Sequence, residues 1–161
     1  MANDIEQQFV EKISLYFEQL GFPRMGGRIF GWLLISETPQ ASMAELMEAL
    51  QASKSSISSM TRLLIQVDLI EIASIPGVRR DYFRIRKDAW TNALKDRLTQ
   101  AVTFRQLADE GLAVLKDGAP DRLRRLQEMR LMYAFLEREI PALMARWEQE
   151  RQTLYQTSES K

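Results

Sequence analysis

The stretch SMAELMEALQASKSSISSMTRLLIQV, Ser42–Val67, decides the fold. Ser42 stands three residues before Glu45, the spacing at which a serine accepts from the backbone and a glutamate reaches back, a capping box. A short helix to Leu50 is therefore predicted. Gln51-Ala52 reads as a tight turn, and Ser53 is a second good N-cap for a helix through about Val67. Projected on that helix, Ile57, Met60, Thr61 and Leu64 share one face, while Ser55, Ser58, Ser59, Arg62 and Gln66 share the other. A short helix and a longer one joined by a tight turn form a helix-turn-helix. Serines are poor helix formers, so Ser53, Ser55, Ser56, Ser58 and Ser59 cost helix stability. What they offer is a face of small hydroxyls that fits deep into a groove and bonds phosphates or base edges.

Just beyond, the periodicity changes. Leu69-Ile-Glu-Ile-Ala-Ser-Ile75 alternates, Pro76-Gly77 is a turn dipeptide, and Arg80-Asp-Tyr-Phe-Arg-Ile-Arg86 alternates again. Phe83 and Ile85 point one way, and Tyr82, Arg84 and Arg86 the other. This is a β-hairpin with Arg79 and Arg80 at its tip. A helix-turn-helix followed at once by a basic-tipped hairpin is a winged helix.

Charge supports the same stretch. The chain has 161 residues, with 22 lysines and arginines against 22 aspartates and glutamates. Residues 1–50 carry three bases and seven acids, and residues 88–161 carry twelve of each. All the positive excess lies in residues 51–87, with seven bases (Lys54, Arg62, Arg79, Arg80, Arg84, Arg86, Lys87) and three acids (Asp68, Glu71, Asp81). No acid occurs from Gln51 to Val67. A neutral chain with one focused basic segment is suited to meeting a polyanion through one face. Cysteine and histidine are both absent, which excludes disulfides, zinc fingers and thiol or imidazole catalysis. The carboxylates Asp109, Glu110, Glu137 and Glu139 read as solvated helix faces, so no enzyme, metal site or cofactor is expected. No apolar run is long enough for a membrane span, and the N-terminus has no signal-peptide pattern, so a cytoplasmic location is expected.

On the N-terminal side, Ile5, Phe9, Ile13, Phe17 and Leu20 form one apolar stripe of a helix over about 4–20, closed by Gly21 and Pro23. A second helix runs from Arg24 to about Ser36. Its Gly27 and Gly31 lie four apart and are read as bare patches for close helix packing, since neither a P-loop nor a dinucleotide fingerprint fits. On the C-terminal side, a helix is expected from Ala89 to about Lys116, with Trp90, Leu94, Leu98, Ala101 and Val102 inward. Asp117-Gly-Ala-Pro120 breaks it. In the last helix Leu126, Met129, Tyr133, Leu136 and Ile140 follow coiled-coil spacings, and Trp147 and Leu154 continue the stripe past Pro141, which must kink or restart it.

The order Pro23-Arg-Met-Gly-Gly-Arg-Ile-Phe-Gly-Trp-Leu-Leu34, the helix-turn-helix at Ala52–Leu64, and Pro76-Gly-Val-Arg-Arg-Asp-Tyr-Phe83 resembles the MarR-type winged-helix regulators, and more narrowly their GbsR-like branch. The resemblance implies a homodimeric, sequence-specific regulator of transcription, with repression the expected sense, bound to double-stranded DNA at a pseudo-palindromic operator. It places Lys54, Ser55, Ser56, Ser58, Ser59 and Arg62 in the major groove, and Arg79, Arg80 and Arg84 on the backbone or minor groove. It also allows a small cationic effector, for which Trp90, Phe104, Met132, Tyr133 and Trp147 are the candidate lining. One departure is Asp68, where such folds often carry glycine to end the recognition helix; aspartate tolerates the left-handed conformation better than most residues.

The expected architecture is mostly α with a small β-hairpin (α+β), a winged helix-turn-helix with flanking dimerisation helices. Residues 1–20 are a dimerisation helix, 21–88 the winged domain, and 89–161 a helical dimerisation and effector region. The dimer interface is expected from Ile5, Phe9, Ile13, Leu126, Met129, Tyr133, Leu136, Ile140, Trp147 and Leu154. The alternative is a winged helix that serves only as a protein-interaction module, which would need neither the acid-free helix nor the basic tip.

Overall fold

The computed structural model describes residues 4–77, 79–115 and 118–159, with side chains through Thr153. It divides into two compact units, Met1–Ala89 and Trp90–Lys161. The order in the first is α1 (Asp4–Gln19), α2 (Arg24–Ile35), β1 (Ala41–Ser42), α3 (Met43–Leu50), α4 (Lys54–Gln66), β2 (Ile70–Ala73) and β3 (Tyr82–Ile85). Then come α5 (Ala89–Val114), which begins at the last residue of the first unit, and α6 (Pro120–Glu159).

The two glycines of α2 set how α1 packs. A Cβ on Gly27 would stand 2.6 Å from Ser14 Cα, and one on Gly31 3.3 Å from Val10 Cα. The backbones approach because nothing lies between them, and Glu11 adds ion pairs with Arg24 and Arg28. The face of α1 against α2 is therefore Val10, Ser14 and Phe17. This corrects the expected stripe. Phe17 is buried, but Ile5 is 71% exposed and Leu20 54%, because close approach favours the small Ser14 over the bulky residues.

Around the helix-turn-helix a core forms from Ile29, Leu46, Ile57, Leu64 and Ile70, all wholly buried. Each such side chain contributes about 1.5–3 kcal/mol through removal from water. The strands form an antiparallel sheet ordered β1-β3-β2, with Ile70 opposite Ile85, Glu71 opposite Arg84 and Ile72 opposite Phe83. The expected hairpin is β2–β3. The third strand, Ala41 and Ser42 opposite Phe83 and Tyr82, is two residues long and too short to show a period.

The second unit is a helical hairpin. Thr91 meets Trp147, Phe104 meets Tyr133, Arg105 meets Glu137, and Asp109 meets Arg130. As one index rises the other falls by nearly the same amount, the signature of an antiparallel pair. At the closed end Gly111 lets Leu126 pack closely, since a Cβ there would lie 3.0 Å from Leu126 Cδ1. Gly118 lies in the turn as expected; Lys116 and Asp117 fall outside the described residues. Pro141 neither ends nor restarts α6, which passes through it as one helix. Asp109 and Glu137 are held by arginines rather than standing free in solvent. Hydrogen bonding from Arg130, and the charges of Arg130 and Arg105, hold the Asp109 carboxyl below its usual range. The Glu137 hydrogen bond raises the Arg105 guanidinium further.

Candidate nucleic-acid interface

Two helix ends place α4. Helix α3 opens with the predicted capping box: Ser42 N–H donates to Glu45 Oε2 at 2.6 Å, and Glu45 N–H to Ser42 Oγ at 3.3 Å. It closes at Gln51, whose φ of 49° is left-handed, with Ala52 N–H donating back to Met47 O. The turn falls at Gln51-Ala52 as predicted, though a glutamine gives no signal of the left-handed backbone that makes it. Ser53 then caps α4 by accepting from Ser56 N–H at 3.3 Å. Ile57, Thr61 and Leu64 are buried, and Met60 is half-buried. Lys54, Ser55, Ser59 and Arg62 are exposed; Ser56 and Ser58 are half-buried at the edge of that face. Arg62 Nε donates to Ser58 O at 3.2 Å, so its guanidinium lies back along its own helix.

The hairpin turns at Pro76-Gly77, where Gly77 has φ 84°. Arg79 and Arg80 are exposed beside it. Two other basic residues are already engaged. Arg84 Nη2 lies 2.6 Å from Glu71 Oε1 on the opposite strand, and Arg86 is paired with Asp68. Arg84 is thus held within the sheet, unlike the tip arginines with which it was grouped. Asp68 takes the left-handed conformation expected of it, with φ 59°. Two of the segment's three acids are consumed in this way. Among the described residues Lys54, Arg62, Arg79 and Arg80 have no ion-pair partner within 4 Å, although Arg80 is near enough to help depress the Glu45 carboxyl.

The aromatic residues proposed to line an effector pocket do not converge. Phe104 and Tyr133 stack at 4.8 Å with Met132 beside them, while Trp147 donates to Thr91 Oγ1 at 3.1 Å, next to Trp90. Fourteen residues of helix, about 21 Å, separate the two groups along the hairpin. The stripe assigned to the dimer is also largely taken up within the chain. Leu126 packs over Gly111, Tyr133 stacks on Phe104, Ile140 is buried, and Leu136, Met129 and Trp147 are half-buried. Leu154 lies outside the described side chains. Among the described residues the large apolar side chains of α6 that stay exposed are Leu131, Met132, Phe135 and Leu143. A cleft of about 540 Å³ occurs in the first unit, lined by Glu11, Arg28, Trp32 and Leu50 among others, and a shallower, more open one of about 780 Å³ on α6 takes in Met132 and Tyr133. Among the described residues no cluster of three metal-ligating side chains occurs, and no helix is long and apolar enough to cross a membrane.

A capped short helix, a tight left-handed turn, a second helix with an exposed hydroxyl-rich face, and a three-stranded sheet with a basic tip define a winged helix-turn-helix protein. The chain belongs to the MarR family of transcriptional regulators. The family described as "MmpR5-like MarR family transcriptional regulator" matches residues 88–150. Over 142 residues the chain is 39% identical to the HTH-type transcriptional regulator MmpR5 of Mycobacterium tuberculosis (strain ATCC 25618 / H37Rv), covering 88% of this chain and 86% of that protein. It is 30% identical over 83 residues to the HTH-type transcriptional repressor OpcR of Bacillus subtilis (strain 168), covering 52% of this chain and 44% of that one. A crystal structure described only as a transcriptional regulator superposes with a TM-score of 0.76 at 39% identity, covering 89% of this chain and 98% of that one.

Proposed function

We propose that this protein is a homodimeric, sequence-specific repressor of the GbsR-like kind, acting in the cytoplasm on a pseudo-palindromic double-stranded DNA operator. The observation that carries the reading is the charge left over after internal pairing. Glu71 and Asp68 neutralise Arg84 and Arg86, yet Lys54, Arg62, Arg79 and Arg80 remain unneutralised on α4 and the adjoining hairpin tip. Helix α4 enters the major groove with Ser55, Ser59 and Arg62 toward base edges, and Lys54, Ser56 and Ser58 toward phosphate. Arg79 and Arg80 reach the backbone or a narrow minor groove beside it. In a two-fold dimer the two copies of α4 would address half-sites about 34–36 Å apart. A small effector is part of this reading, received at the Phe104–Met132–Tyr133 level of the helical hairpin. The protein carries out no catalysis.

Electrophoretic mobility shift on genomic fragments tests the reading. Discrete bound fragments at physiological salt support it, and substitution of Ser55, Ser59 or Arg62 should then change the preferred base at individual positions by about 1–3 kcal/mol each. Absence of any bound fragment would leave the protein-interaction module as the better account. Equal weakening on every operator variant would assign these residues to phosphate alone.

A further inference from the structure

From the joint between α4 and the wing we infer that the Asp68–Arg86 ion pair sets the wing's reach, making Asp68 a positioning residue for DNA binding; this rests on the reading proposed above. The chain leaves α4 through a Schellman turn, in which Asp68 N–H donates to Ile65 O at 3.1 Å and Leu69 N–H to Leu64 O at 3.0 Å. Glycine would satisfy that conformation and leave the joint bare. Aspartate puts a carboxylate there, and its Oδ1 is taken by Arg86 Nη1. Arg86 also donates its backbone N–H to Leu69 O at 3.1 Å. One residue just past β3 thus grips both residues that lead from the recognition helix into β2. Further along the same two strands Arg84 and Glu71 repeat the pairing. Leu64 and Ile70, wholly buried on either side, fix the ends of the joint, so the two ion pairs govern the angle between them.

An exposed ion pair of this kind contributes little to global stability. Its effect is on geometry: a wing held at the right angle before DNA arrives has less to order on binding. Charge alone gives the opposite sign. Removing an acid from a DNA-facing segment should tighten binding to a polyanion. The two explanations therefore separate cleanly.

The variant is Asp68→Asn, which keeps tolerance of the left-handed backbone and loses only the charge. Operator binding should weaken by up to about fivefold per subunit, the most an exposed ion pair supplies. The slope of log affinity against log salt should fall toward that of the Arg79→Ala/Arg80→Ala variant, and the thermal midpoint should stay near wild type. Added to that wing variant, Asp68→Asn should cause no further loss, which a merely structural role would not produce. Arg86→Gln should behave alike. Independently of DNA, amide exchange in β2 and β3 should accelerate in both variants. Equal or tighter binding with an unchanged slope, or full additivity with the wing variant, overturns the inference. Should the wild type bind no DNA, the functional reading fails first, and exchange alone decides: unchanged protection in β2 and β3 refutes the clamp, and faster exchange upholds its mechanical half.

Discussion

Gly27 is the residue at which the α1–α2 contact is most exacting. An added methyl would stand 2.6 Å from Ser14 Cα and 2.8 Å from Phe17 Cβ, both near the backbone and unable to swing aside. Gly27→Ala should destabilise the protein by about 1–3 kcal/mol, seen as a lower urea midpoint. Its neighbour is the control. At Gly26 the nearest atoms lie 3.9 Å away on Leu64 and Met60, so Gly26→Ala should stabilise by about 0.4–1 kcal/mol in the same titration. Glu45 supplies a pH test. The Ser42 backbone N–H, then the Ser42 hydroxyl, hold its carboxyl below the ordinary value. A depressed carboxylate contributes stability that is present above its unfolded value, about pH 4.3, and lost as pH falls through the folded one. Glu45→Ala should therefore be less stable than wild type at neutral pH, with the difference closing on acidification, measured by denaturant midpoints from pH 7 to pH 3.

At the scale of elements, the wing and α4 do different work. Arg79 and Arg80 sit beside a turn and have no ion-pair partner among the described residues, so their contribution to DNA binding is release of counterions. If both bind phosphate in both subunits, replacing the pair with alanine should flatten the salt slope by up to about 3.6, with folding unchanged. Parallel salt titrations of equal intercept would mean the wing never reaches DNA. Helix α4 differs because its serine-rich first turn has poor helix propensity and depends on the Ser53 cap. Ser53→Ala should lower stability by about 1 kcal/mol and frays the turn that carries Lys54 and Ser55. Circular dichroism through thermal unfolding reads the first effect, and operator affinity the second.

For the whole molecule, the proposed dimer needs an apolar surface that the chain's own packing leaves uncovered. The stripe from Leu126 to Trp147 is largely engaged by α5 of the same chain, whereas Leu131, Met132, Phe135 and Leu143 on α6, and Ile5, Phe9, Tyr16 and Leu20 on α1, are still exposed. A soluble protein rarely leaves so many large apolar side chains bare. Sedimentation at micromolar concentration should show a dimer. Phe135→Glu should shift it toward monomer while helicity is retained, and Leu126→Ala should instead unfold the helical hairpin at lower temperature.

Local chemistry was enough for the helix-turn-helix. The capping box at Ser42, the cap at Ser53, the inner face of Ile57, Thr61 and Leu64, and the alternation through Phe83 are each settled by neighbours within a few residues, so the sequence carries them openly. The left-handed Asp68 was legible only through the resemblance, which puts a glycine at that position. Tertiary structure decided what depends on distant partners. The rotation of α1 was set by bare glycines on α2, the strand at Ala41-Ser42 by a pairing partner some forty residues away, and the fate of the α6 stripe by α5 lying against it. The same holds for charge. Sequence placed seven bases in one segment, but only the fold showed that Glu71 and Asp68 silence Arg84 and Arg86 and leave the other five to act, Lys54, Arg62, Arg79 and Arg80 on α4 and the hairpin tip among them. Periodicity reports which face is apolar, and packing alone determines what that face meets.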